Sequence, residues 1–93
     1  MDCNEFEYSA HAVKRMLEKG ITSFEVEQGV LFGELVQDYQ DDKPYPSQLL
    51  LKFVHSRPIH VLVAKNTENE ICIIITCYQP DSEIWTSDFK TKK

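Results

Sequence analysis

The sequence predicts an α+β domain: two N-terminal helices packed on one face of an antiparallel sheet of three or four strands. Two observations carry this. Over residues 9–32 the apolar side chains recur at helical spacing, and after Gly33 they form alternating or continuous runs separated by turn signals. Helices that come first and strands that follow segregate into two layers. With 93 residues, 42% of them hydrophobic, the chain makes a single domain, 1–93, around one core.

The first helix is expected over about 9–19. Ser9 is a good N-cap, Gly20 sits where a left-handed residue ends a helix, and Ile21 follows where an apolar residue folds back on the last turn. At about 100° per residue, Ala10, Ala12, Val13, Met16 and Leu17 share one side, and His11, Lys14, Arg15, Glu18 and Lys19 the other. The apolar arc should dock on the sheet, leaving His11 and Arg15, one turn apart, toward solvent. Thr22-Ser23-Phe24-Glu25 matches a capping box that opens a second helix over about 22–32, stopped by Gly33. Gly29 inside it costs about 1 kcal/mol relative to alanine, and close backbone packing is the usual reason.

A weak strand follows at 34–39, then a loop through Pro44 and Pro46, then stronger strands at 47–54, 59–66 and 71–78. Short connections make them antiparallel hairpins. Ile71–Tyr78 is apolar on both faces and belongs inside the sheet, since on an edge it would invite aggregation. Residues 86–93 form a Lys-rich tail expected to fray.

Alternation assigns the strand faces. Leu49, Leu51 and Phe53, Ile59, Val61 and Val63, and Ile71, Ile73 and Ile75 form the most uniformly apolar set and should meet the helices. Sharing that face requires odd connections. A three-residue loop, Glu68 to Glu70, then places Leu62 opposite Thr76 and His60 opposite Tyr78, and an odd loop or bulge after Val54 brings His60 near Lys52. The result is a cluster of Lys52, His60 and Tyr78 at one end of the open face, with Arg57 leaning over it. Metal-independent ribonucleases use these side chains: a 2′-hydroxyl loses a proton, the leaving 5′-oxygen gains one, and positive charge steadies the phosphorane. The plainer reading is a partly exposed strand-end histidine beside a tyrosine that caps the core. Trp85 has a similar pair of readings, burial over the open face or a base-stacking or partner-anchoring platform.

Composition excludes other classes. A net charge of −5 argues against non-specific nucleic-acid binding. The charge is uneven: residues 1–42 hold three Lys/Arg against ten Asp/Glu, and residues 43–93 hold seven against five. There is no Cys-x-x-Cys, no zinc spacing among His11, His55 and His60, and no Gly-rich phosphate loop, so neither metal nor cofactor is expected. No apolar stretch reaches the roughly 20 residues that span a bilayer. The acidic start lacks a signal region, and the three cysteines read as buried and unpaired, which together point to the cytoplasm.

Ser9-Ala10-His11-Ala12, Arg15-Met16-Leu17-Glu18-Lys19-Gly20-Ile21-Thr22, Arg57-Pro58-Ile59-His60-Val61-Leu62-Val63, Ile75-Thr76-Cys77-Tyr78-Gln79-Pro80 and Trp85 resemble a family of small prokaryotic proteins of unknown function. That family is similar to the RelE/ParE toxin-like fold, which includes HigB-type and MqsR-type messenger-RNA interferases. The resemblance covers about residues 6–90. It implies two helices on a curved antiparallel sheet and a toxin-like role on RNA beside an antitoxin-like protein partner. Lys19 departs from the arginine usual there, and the acidity is unlike that of ribosome-dependent toxins.

Two functions follow as expectations. One is a metal-independent RNA endonuclease with His60, Tyr78, Lys52 and Arg57 at the reaction and His11, Arg15, Lys19 and Trp85 contacting RNA or a partner. The alternative is a non-catalytic protein-binding module of the same fold, held by a partner protein.

Overall fold

The computed structural model describes residues 1–93 as β1 (Glu5–Tyr8), α1 (Ala10–Lys19), α2 (Ser23–Phe32), β2 (Glu34–Tyr39), β3 (Ser47–Val54), β4 (Arg57–Asn66) and β5 (Ile71–Tyr78). Both helices lie where the sequence places them, and for the local reasons anticipated. The Ser9 hydroxyl accepts from the Ala12 N–H, and Gly20 takes the left-handed conformation at φ +64° while its N–H returns to the Met16 carbonyl. Thr22 and Glu25 complete the capping box at the start of α2.

The sheet has five strands in the order β1-β5-β4-β3-β2. The sequence reading lacks β1, because four residues alternating Glu5, Phe6, Glu7, Tyr8 are too short to show a period. It pairs in parallel with β5, making the sheet mixed rather than purely antiparallel. That pairing, with β4 on the other side, puts β5 inside the sheet as its apolar character requires. The helices bridge from β1 at one edge to β2 at the other across a single face, α1 lying on β5 and α2 on β3 and β4.

Strand faces differ from expectation in β3 and β5. His55 and Ser56 form a two-residue turn with positive φ at both positions, so Val54 pairs with Arg57 and Leu50 with Val61. The even turn sends Leu50, Lys52 and Val54 to the helix side and Leu49, Leu51 and Phe53 to the far side. Neither His55 nor Ser56 is the usual residue for such a turn, so the sequence carried no signal of it. In β5 a four-residue connection starts Cys72 and Ile74 on the helix side. A bulge at Ile75, opposite the Leu62–Val63 step, then shifts the phase and puts Thr76 opposite Leu62 and Tyr78 opposite His60. That pairing agrees with the sequence reading, although the loop is longer and the bulge supplies the parity.

The core joins Ala12, Ile21, Val26 and Val30 to Leu50, Ile59, Val61, Val63, Cys72, Ile74 and Cys77. Only part of the α1 apolar arc docks. Ala12 is fully buried, but Val13 is 43% and Leu17 80% exposed, since α1 packs mainly on β5 and turns this flank outward. Val13, Leu17, Met16, Tyr8 and Ile21 line an apolar groove of about 320 Å³, with the exposed Phe24 on the neighbouring helix.

Cysteine pairing is a second correction. Cys3 and Cys72 form a disulfide that ties the residues before β1 to β5, and Cys77 alone is free, buried in the core. This withdraws the support that three reduced thiols lent to a cytoplasmic location. No helix is long and apolar enough to cross a membrane.

Gly29 packs against β4. A Cβ there would stand 3.0 Å from Val61 Cγ2, and Val61 is fully buried and β-branched, with little room to give. Helix propensity alone predicts that Gly29→Ala gains about 1 kcal/mol. We expect the clash to reverse the sign, for a net loss of about 1 kcal/mol in urea unfolding.

Candidate functional site

The C-terminal residues do not fray. After Pro80 the chain turns at Asp81–Ile84, and Trp85 bridges to Lys92, with Thr86 N–H to Thr91 O at 2.8 Å and Lys93 N–H to Ile84 O at 2.8 Å closing a short hairpin. This hairpin lies over the far face of the sheet. Trp85 is 8% exposed and meets the His60 ring edge-on, with centroids 4.6 Å apart. Phe89 approaches Phe53 at 6.0 Å, and Lys90 pairs with Glu34 of β2. Trp85 is therefore a buried cover for His60 rather than a presented platform.

His60 is wholly enclosed, with both ring nitrogens engaged: Nε2 lies 2.8 Å from the Phe89 carbonyl oxygen and Nδ1 3.2 Å from the Tyr78 hydroxyl. A carbonyl oxygen only accepts, so a hydrogen bond to it requires the proton on Nε2, the tautomer in which Nδ1 can accept from the Tyr78 O–H. Burial disfavours the imidazolium and holds the His60 pKa below its ordinary 6.5, the bond to Phe89 partly opposing it. Burial also raises the Tyr78 pKa, with the Tyr39 phenol adding to it, so Tyr78 stays protonated at neutral pH.

The His60 shift carries a sign for stability. Between its folded-state pKa and 6.5 the unfolded chain binds more protons than the native one, so stability rises with pH there. We expect thermal unfolding to move to lower temperature as pH falls below 6.5 and this contribution to level off below the folded-state value. In His60→Gln that slope should vanish.

Tyr78 forms part of the wall of a cavity of about 750 Å³ at the end of the sheet, together with Lys19, Phe53, Ser56, Arg57 and Phe89. Arg57 stands at the start of β4, where its guanidinium donates to the carbonyls of Lys19 (2.8 Å) and Gly20 (3.1 Å) and to Gln79 Oε1 (2.9 Å). It also lies 3.6 Å from the buried Glu25 carboxylate. Arg57 thus clasps the end of α1 to β4 and the exit of β5, and presents its charge at the cavity wall.

Of the residues expected at the reaction, His60, Tyr78 and Arg57 come together, and Lys52 does not. Lys52 pairs with Ile59 on the helix side, because the even β3–β4 turn reverses the face on which it was placed. Lys19 takes its place as the second cation at the cavity. His11 and Arg15 are exposed on α1, as expected, and His11 Nε2 meets Thr76 Oγ1 at 3.0 Å beside the part of β5 that β1 leaves uncovered. The Phe89 carbonyl was missed, since no residue type announces a main-chain acceptor. No three His, Cys, Asp or Glu side chains converge to hold a metal ion.

No curated protein and no solved structure matches this chain. A family model does, over residues 8–79, from the end of β1 to the residue after Tyr78. The chain belongs to the family described as a domain of unknown function, DUF4258, and is a small α+β member of it.

Proposed function

We propose that this domain is a metal-independent RNA endonuclease of the toxin-like kind, with Tyr78 as the residue that meets the RNA. The observation that supports it is the Tyr78–His60 hydrogen bond at the wall of a cavity that also holds Lys19 and Arg57. It has the layout of an activated nucleophilic or proton-transferring group, in which one side chain faces the substrate, a base stands behind it and a third group orients the base.

In this reading the 2′-hydroxyl gives its proton to the Tyr78 oxygen as the Tyr78 proton passes to His60 Nδ1. The 2′-oxygen bonds to phosphorus, the phosphorus–5′-oxygen bond breaks, and the imidazolium returns its proton through Tyr78 to the leaving oxygen. The products are a 2′,3′-cyclic phosphate and a 5′-hydroxyl. Because burial destabilises the imidazolium, the return of the proton is favourable. The Lys19 ammonium and Arg57 guanidinium offset the charge that develops on the phosphorane.

The test is cleavage of a single-stranded RNA by purified protein in EDTA, with analysis of the ends. Tyr78→Phe should lower the rate about 10²-fold, within the range of positioned proton transfer. The rate should hold steady down to pH 6.5 and fall only below it, where His60 gains a proton. Intact RNA with the wild-type protein, or equal cleavage by Tyr78→Phe, removes this reading.

The groove beside Val13, Leu17 and Phe24 favours a second reading, a non-catalytic module held by a partner such as an antitoxin-like protein. Large apolar side chains gathered at a surface mark protein contacts. A co-purifying neighbour lost on Leu17→Lys, with no RNA chemistry, would select it.

A further inference from the structure

We propose that the C-terminal hairpin belongs to the site: the Phe89 main-chain carbonyl acts as a positioning group that fixes the His60 tautomer and leaves Nδ1 free to face Tyr78. Its consequence for catalysis rests on the endonuclease reading, whereas the tautomer is a property of the protein alone.

A free imidazole exchanges its proton between two nitrogens, and only one tautomer can accept from Tyr78. Nothing in the sheet makes that choice. Trp85 packs against the ring without a hydrogen bond to either nitrogen, and Tyr78 can donate or accept. The Phe89 oxygen at 2.8 Å is the one partner that only accepts.

The hairpin is shaped to hold that oxygen in place. Phe89 has φ +58°, a conformation that bulky L residues rarely adopt, and its N–H bonds to the Thr86 carbonyl at 2.9 Å. Such backbone conformations persist where the surroundings impose them and cluster at functional sites. Here the surroundings are the Phe53 ring, the Trp85 contact with His60 and the Lys90–Glu34 pair, three anchors on three parts of the sheet face. The family match ends at Gln79, so the group that orients His60 comes from outside the matched segment.

Two substitutions separate the carbonyl from the ring. Glycine adopts positive φ freely, so Phe89→Gly keeps the oxygen over His60 and removes only the side chain. Proline holds φ near −65° and has no N–H, so Phe89→Pro must swing the carbonyl away. Nitrogen-15 spectroscopy of the imidazole in the full chain should show His60 protonated at Nε2 alone in the wild type and in Phe89→Gly. In Phe89→Pro the two nitrogens should exchange the proton, and RNA cleavage should fall about 10²-fold in kcat with KM little changed.

A wild-type His60 protonated at Nδ1 overturns the inference, and this measurement needs no variant to fold. Equal loss of the tautomer in Phe89→Gly and Phe89→Pro overturns it too, by assigning the effect to the ring. If the tautomers behave as expected and no RNA is cut, the positioning role stands and the endonuclease reading falls.

Discussion

Breaking the Cys3–Cys72 bond, by reduction or by Cys3→Ser, is expected to lower the unfolding free energy by about 4 kcal/mol. The bond joins residues 69 apart, and the chain entropy removed by closing so long a loop corresponds to roughly that amount at 25 °C. For a domain of this size each kcal/mol shifts the melting temperature by about 4–8 °C, so the midpoint should fall by at least roughly 15 °C. Cys3 is the better position to change, because Cys72 is fully buried and a hydroxyl there would add its own cost. Titration of the unfolded, unreduced chain should find a single thiol, Cys77. Three reactive thiols, or a melting temperature indifferent to reductant, would remove the staple from the account of stability.

Arg57→Ala should cost about 3 kcal/mol, and Arg57→Lys nearly as much. Its guanidinium makes three hydrogen bonds, two to the carbonyls that end α1 and one to Gln79 just after β5, and it is the cation beside Glu25. Removing one partner of a buried pair typically costs about 3–5 kcal/mol, because the other charge is left without compensation. The Arg57 side chain is 29% exposed, which places the effect at the low end. A lysine has the charge but not the planar fork that spans two adjacent carbonyls and an amide. Glu25→Gln keeps an acceptor for the Thr22 N–H at the capping box and removes the charge. In the Arg57→Ala background it should therefore restore part of the loss, with a coupling of about 1 kcal/mol or more in urea unfolding. Additive losses would mean that Arg57 acts through the carbonyls alone.

The parts of this fold that the sequence announces are those governed by residues near one another. The Ser9 cap, the Gly20 stop and the Thr22–Glu25 box each need only four or five consecutive residues, and both helices appear as read. The interior position of β5 was legible from Ile71–Tyr78 because only burial on both faces tolerates such a run. What failed depends on single backbone choices. A two-residue turn at His55–Ser56 instead of an odd one moves Lys52 to the helix side, since strand periodicity is two and one step inverts a face. The His60–Tyr78 pair survived because the Ile75 bulge and the longer β4–β5 loop offset each other. Cys3–Cys72 joins residues 69 apart, and no local pattern encodes a contact of that range. The site was half legible for the same reasons. His60, Tyr78 and Arg57 lie at strand ends whose pairing could be counted, whereas the Phe89 carbonyl depends on how a tail folds back.

The position of β5 between β1 and β4 also bears on how the chain is made. A ribosome releases β1, both helices and β2 to β4 before the strand that belongs between them. Until Ile71–Tyr78 emerges, the nascent chain carries the meander β2-β3-β4 with Ile59–Asn66 as a bare apolar edge, and Phe6 and Tyr8 have nothing to pair with. Insertion of Ile71–Tyr78 closes two seams at once, one to β4 and one to β1. Topologies dominated by such distant pairings fold slowly, and unpaired edges aggregate while they wait. Ribosome-bound chains that stop before Ile71 should therefore be holdase clients, and release from the chaperone should coincide with the emergence of β5.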